Sequence, residues 1–432
     1  MKKLILIASA LLLCGSAFAQ GEEVLSKFKL YGFVRNYVVM DSRAVNGGTH
    51  DLYYYMPKDI SLNAVGEDVN EGVNWKFISL TTRLGLDFSG YQIGALNISG
   101  KVEADFYSLN GTGAMGGNAI AQFRLRQAYM ALKWNLGEQQ NLVLNLGQTW
   151  HPMGVDLPNC INLESGAPFG PFNRSPQAML HWNLKGLSVT GGLLYLSQYL
   201  PMDYETGGKS VDPFKYGLPE VYLGVGYKGG KFAVKTGVSL LNTKPIRTVT
   251  TDPETKATAK AGGFMTAVSA FLYGQYTDGM LQIKAKTVLA QSGEHMNILS
   301  GYGVSAYDLN TRTFFYTPMQ DWTSYVSFAY GKKFQVMGML GYMKQLGTTK
   351  DRLAGTQIMI NTAASTAIQQ AVRLTPTLVW NIGKFQLGLE YDWTLAEFGN
   401  ADAARNVRGL YDAGQTHWVH NHRVLCMTKF SF

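Results

Sequence analysis

The cations of this 432-residue chain fall mostly one at a time, on alternate positions beside apolar residues. Arg83 lies between Thr82 and Leu84; Lys101, Glu103 and Asp105 are interleaved with Gly100, Val102, Ala104 and Phe106. Arg35, Arg43, Arg124, Arg126, Lys235, Lys284, Lys286, Arg373 and Arg423 sit in similar runs. With Arg83 and Lys101 they make eleven cations, against six acids on the same faces, namely Asp41, Asp87, Glu103, Asp105, Glu390 and Asp392. Arginine presents a planar fork of donors that suits a carboxylate or phosphate, so such rows bind anions rather than catalyse. The bland alternative is that each cation pairs with a neighbouring acid and only holds a wet wall. His417, His420 and His422 could lend nitrogens to a metal, but no acidic or Cys partner lies nearby in sequence. The loop with Gly111, Gly113, Gly116 and Gly117 has no following Gly-Lys-Ser/Thr and so is no phosphate loop. No catalytic residue, metal ligand or cofactor is assigned.

The elements that would carry these residues have period two. Ile78, Leu80, Thr82, Leu84, Leu86 and Phe88 read as one face, opposite Ser79, Thr81, Arg83, Gly85 and Asp87. Phe385, Leu387, Leu389, Tyr391 and Trp393 oppose Gln386, Gly388, Glu390, Asp392 and Thr394. The greasy faces run for about ten residues, the length of a membrane-spanning strand, against about five or six in soluble proteins. Sixteen such strands are expected, at 28–41, 77–89, 95–106, 123–136, 141–150, 177–184, 187–197, 220–228, 231–242, 263–276, 280–291, 323–331, 334–345, 372–381, 384–396 and 418–432. Merging or splitting a pair would give fourteen or eighteen. Short turns and long connections alternate strictly, which is the build of an outer-membrane barrel with short periplasmic turns and long extracellular loops. The expected fold is therefore all-β, a transmembrane antiparallel β-barrel. In the fourth strand Arg124 and Arg126 share parity with Met130, Leu132 and Trp134. That strand either carries a bulge or meets a neighbouring subunit.

Composition agrees. Charged residues are 16% of the chain, against about 25% in soluble proteins. Past residue 20 no apolar run reaches the roughly 18 residues of a membrane helix. Lys2 and Lys3, the apolar stretch Leu4–Leu13 and Ala17-Phe18-Ala19 read as a cleaved signal peptide, residues 1–19. Its removal takes Lys2 and Lys3 and lowers the net charge from +8 to +6. Spread singly, these cations do not suggest nucleic acid. Cys160 and Cys426 are too few for a disulfide framework.

Segments 20–27 and 28–432 then read as a short periplasmic lead-in and a single barrel domain. The third long connection, 151–176, is rich in Gly, Pro and Phe. It is a candidate pore-constricting loop, with Glu164 and Arg174 facing the wall, or else an external loop packed on its neighbours. Residues 355–371, rich in Ala and Gln, suggest a short loop helix. The last strand ends in Phe432, and an amphipathic strand with a terminal aromatic resembles the signal read by the barrel-assembly machinery.

Several segments resemble the DcaP-like group of porins, which includes proteins of Bacteroidetes. They are Lys29-Leu-Tyr-Gly-Phe-Val-Arg35 with Asp41-Ser-Arg43, Thr82-Arg-Leu-Gly85, Phe123-Arg-Leu-Arg-Gln-Ala-Tyr129, Gly147-Gln-Thr-Trp150 and Pro171-Phe-Asn-Arg-Ser-Pro176. The resemblance covers residues 28 to about 184. It implies a sixteen-stranded homotrimeric channel in the bacterial outer membrane, among lipid and lipopolysaccharide, for small anionic, dicarboxylate-like solutes. Some relatives carry a coiled coil before the barrel, whereas only Gln20–Lys27 stand there here. The expected pore-lining and anion-binding residues are Arg35, Arg43, Arg83, Lys101, Arg124, Arg126, Arg174, Lys284 and Lys286. The competing readings are an outer-membrane lipase or protease using rim histidines, and a plugged structural or adhesive barrel.

Overall fold

The computed structural model describes residues 26–48, 53–108, 121–162, 166–252, 254–360, 368–399, 406–412 and 414–432. The signal-peptide reading, Glu164 and the Gly111–Gly117 loop lie outside the described residues. Sixteen antiparallel strands close into one barrel. They are β1 (Phe28–Arg43), β2 in two pieces (Glu71–Ile78 and Arg83–Ile93), β3 (Leu96–Ser108), β4 (Ala121–Gly137), β5 (Gln140–Trp150), β6 (Arg174–Leu184), β7 (Leu187–Leu194) and β8 (Leu218–Gly229). Then follow β9 (Phe232–Thr243), β10 (Met265–Asp278), β11 (Leu281–Gln291), β12 (Thr313–Gly331), β13 (Phe334–Thr348), β14 (Ile368–Ile382), β15 (Phe385–Gly399) and β16 (Thr416–Ser431). Each strand pairs with its sequence neighbour, and β1 closes on β16 from Phe33↔Ser431 to Asp41↔Arg423. Closure leaves no unpaired edge, the condition a sheet must meet in lipid.

The strands connect by two-residue turns at one end of the barrel and by long loops at the other. The turn between β6 and β7 takes Lys185 at φ 46° and Gly186 at φ 87°, the left-handed pair a tight hairpin needs. Outside, Leu223, Val225, Tyr227, Val336, Leu340, Leu374 and Leu378 form part of an exposed apolar wall. Aromatic pairs ring the short-turn end, Phe28 with Tyr91, Phe232 with Tyr276 and Phe334 with Trp380. Aromatic girdles of this kind mark the interfaces of membrane barrels.

Two local departures reset which residues face the lumen. Opposite β1, Tyr37 pairs with Ile78 and Phe33 with Arg83, so β2 holds one residue more than its partner across the break. The extra residue inverts the parity: Ile78 and Leu80 are buried inside while Phe77 and Leu84 are exposed outside. The single face expected from Ile78 to Phe88 is therefore split. In β4 the ladder shifts between Glu103↔Gln127 and Ala104↔Leu125, so the bulge is the answer there. Arg126 and Gln127 both turn inward at 2% and 8% exposure, and Met130 is left outside.

The expected loop helix is not formed in the described part of 355–371. Met359–Ile360 is a short strand and Ile368 already begins β14.

Candidate functional site

The third long connection leaves β5 at Trp150 and enters β6 at Arg174. Its backbone is held by the inward face of the opposite wall. Tyr325 Oη donates to Asp156 O at 2.6 Å, Thr323 Oγ1 to Pro168 O at 2.7 Å and Lys284 Nζ to Leu157 O at 3.1 Å. Lys286 Nζ donates to Met153 O, Arg373 Nη1 to Ala167 O at 3.1 Å, and Glu390 Oε2 accepts the Ile161 amide at 2.6 Å. Peptide groups buried inside a barrel must find such partners. The first loop comes in beside it. Arg373 Nη2 donates to Tyr55 O at 2.7 Å, and the Tyr54 ring lies between Arg373 and Arg423, 4.2 and 4.4 Å from their guanidinium carbons.

These loops bring apolar weight with them. Met56 of the first loop, Phe169 and Phe172 of the third, and Leu299 of the sixth pack with Tyr325, Met339, Met343 and Leu425 into one buried cluster. Gly341 makes room, because a Cβ there would stand 2.4 Å from the Phe169 ring. The lumen is thus filled on the side of β11–β16. On the other side a cavity of about 520 Å³ runs along β4–β9. Its polar lining is almost neutral, with Gln127, Asn145, Thr149, Gln177, His181, Asn183 and Thr190, and Lys235 at one point. Lys235 pairs with Asp156 of the third loop at 2.7 Å.

The nine expected site residues divide by what holds them. Arg124 grips Asp105 with two bonds of 2.8 Å, and Arg126 bridges Glu103 at 3.0 Å and Asp105 at 2.6 Å. Arg83 stands 3.6 Å from Glu103, Lys101 2.8 Å from Asp87, and Arg43 2.7 Å from Asp68 of the first loop. Outside the spanning strands, hydrogen bonds from Ser61, Arg43 and Asn70 hold Asp68 below the usual carboxylate range despite its partial burial. Lys284 and Lys286 cap loop carbonyls, as above. Arg174 is buried, with its guanidinium stacked 4.9 Å from the Trp150 ring and 5.6 Å from Phe172. Arg35 donates from Nε to Thr81 Oγ1 at 3.0 Å. The structure gathers Arg83, Lys101, Arg124 and Arg126 into one network around Glu103 and Asp105, and places the two lysines at the third loop.

The polar lane was missed. Its residues come from inward positions of β5–β7, where the neutral alternation Asn141, Val143, Asn145 and His181, Asn183 was the available signal. A buried trio was missed too. His151 Nε2 lies 3.2 Å from both Glu220 oxygens, and His295 Nε2 lies 3.4 Å from one of them. Among the described residues this is the one group with a metal-binding composition. However, His151 Nδ1 accepts the Met153 amide at 3.1 Å, which puts the imidazole proton on Nε2, facing Glu220. A metal at Nε2 would require that proton on Nδ1, against the amide. The trio is better described as a latch joining the root of the third loop, β8 and the sixth long loop. The free thiols Cys160 and Cys426 form no disulfide. Of the three rim histidines, His417 lies 2.6 Å from Asp59, while His422 meets Tyr391 Oη at 2.7 Å beside His420.

No family profile matches the chain, and no curated protein sequence matches it. Solved structures do. The outer membrane channel DcaP of Acinetobacter baumannii superposes with a TM-score of 0.61 at 16% identity, covering 94% of this chain and 97% of that one. The anion-selective porin from Comamonas acidovorans gives a TM-score of 0.49 at 14% identity, covering 94% and 99%. The trimer form of OmpT from Vibrio cholerae gives 0.49 at 14% identity, covering 94% and 99%. The chain thus has the outer-membrane channel fold of DcaP, as the motifs between residues 28 and 184 suggested.

Proposed function

We propose that this protein is an outer-membrane porin of the DcaP-like kind, passing small hydrophilic solutes by diffusion with a preference for anions such as small carboxylates. The observation that carries the reading is the polar cavity left between the inward-packed third loop and β4–β9 of a closed barrel. A lumen with polar walls and a packed constriction passes solutes by size and charge. In this reading the 151–176 segment is the constriction, and the protein is a homotrimer in lipid and lipopolysaccharide, exported by residues 1–19 and assembled through Phe432.

The electrostatic support is narrower than a plain count of cations. Arg43, Arg83, Lys101, Arg124 and Arg126 are balanced by nearby acids. The preference then rests on Arg35, Arg174, Lys284 and Lys286, which have no acidic partner within ion-pair distance among the described residues. Uncompensated positive charge along low-dielectric walls raises the local anion concentration. The DcaP and Comamonas channels belong to the same class of barrel, and the latter is described as anion-selective. The test is a salt-gradient reversal potential in planar bilayers, expected to favour chloride and succinate over potassium. A reversal potential that favours potassium would reject the preference.

A further inference from the structure

The seam where β1 meets β16 holds two cations, Arg35 and Lys429, with no acid of the wall within ion-pair distance among the described residues. Arg35 stands directly opposite Lys429 in the ladder, and both side chains are on the lumen side. Like charges facing each other across a strand pair are destabilising. One register step toward the short turns, Phe33 pairs with Arg83 of β2. All three cations converge on the Phe33 ring, with Arg35 and Arg83 at 5.1 Å and Lys429 at 4.8 Å from its centroid.

Arg83 has Glu103 beside it, but the neighbours of Arg35 and Lys429 carry no balancing acid. Lys429 is flanked on β15 by Gln386, a neutral residue. Arg35 bonds the Thr81 hydroxyl. Neither has an acidic partner within ion-pair distance among the described residues. Glu103 lies 3.6 Å from Arg83, but Arg126, Gln127 and Tyr31 already bond it. The last residue, Phe432, turns its backbone oxygen to the Gly32 amide at 3.4 Å.

The position is functional in height. One inward step above Arg35, the Tyr37 hydroxyl reaches Ile161 O of the third loop. The cation group therefore sits on the short-turn side of the third loop's contact with β1.

We infer that Arg35, Lys429 and Arg83, with the Thr81 hydroxyl, form an oxyanion-binding site at the short-turn mouth of the channel, taking phosphate or a carboxylate. This rests on the porin reading and adds a residue, Lys429, that the strand pattern alone did not single out. Charge-assisted bonds from a guanidinium fork and an ammonium hold such an oxyanion, and the phenyl ring beneath keeps water from one side of the cations.

The experiment measures chloride current through the full-length protein in planar bilayers, with inorganic phosphate or succinate added to one side at a time. Wild type is expected to show concentration-dependent block, stronger from the short-turn side. Lys429→Gln is expected to weaken that block about tenfold, as the loss of one charge-assisted contact does. Lys429→Arg is expected to retain it. Block of Lys429→Gln equal to wild type, with both variants still forming heat-resistant barrels, overturns the site. Block by phosphate alone or by succinate alone decides which oxyanion the site takes. A wild type that conducts but favours potassium overturns the porin selectivity reading instead, so the two failures are distinguishable.

Discussion

Residue by residue, the wall charges are structural more often than they are free. Arg126 shows why. At 2% exposure it satisfies both Glu103 and Asp105, and its removal leaves two buried carboxylates short of a counter-charge. Arg126→Ala is expected to cost about 3–5 kcal/mol, the usual consequence of breaking a buried pair on one side. Urea unfolding of the folded barrel measures it, and a change under about 1 kcal/mol would contradict the assignment. His295 gives the pH dependence. Burial opposes its charge, yet Glu220 and Glu294 beside it hold its pKa above the ordinary imidazole value. The His151 ring also lies close, 5.9 Å from that of His295. A raised folded pKa means that protonation stabilises the fold, fully below about pH 6.5 and no longer once pH passes the folded value. The protection of amides in residues 292–300, taken relative to their intrinsic exchange at each pH, is therefore expected to fall as pH rises through that window, and the step is expected to vanish in His295→Gln.

At the scale of elements, the strands were legible and the loops were not. Strands in this barrel alternate because one side meets lipid and the other the lumen, so period two runs through most of the sheet. The exceptions are single-residue events. The extra residue near Ser79–Thr82 inverts β2, and Arg126 bulges β4; neither changes composition enough to be read before pairing is known. The pairing of cations with acids was likewise open in sequence, because alternate positions say which face a residue takes but not which neighbour it meets. The third loop's Gly, Pro and Phe content fitted packing inside or outside equally well. Its partners, Tyr325, Arg373 and Glu390, lie more than 150 residues away in the chain. The His151–Glu220–His295 latch was hidden for the same reason. Gly341→Leu tests the packed loop. A side chain there meets Phe169, so it is expected to destabilise by about 1–3 kcal/mol and to displace the loop. Single-channel conductance should rise with it; a lower or unchanged conductance would place Phe169 away from the conduction path.

For the whole molecule, sixteen strands enclose a wide lumen, and the loops fill part of it. The filled side, built from Met56, Phe169, Phe172 and Leu299 against β11–β16, turns a wide cylinder into a lane along β4–β9. Its charges are mostly neutralised in pairs, so the proposed anion preference would rest on the few cations without acids rather than on the full set. Detergent-extracted protein is expected to run as a trimer by native mass spectrometry, and a monomer at every concentration would count against that assembly. Purified protein reconstituted into a planar lipid bilayer is expected to show discrete, ohmic channel openings with a reversal potential favouring chloride under a potassium chloride gradient; a correctly folded barrel that inserts without any conductance would mean that the lane is closed to solutes.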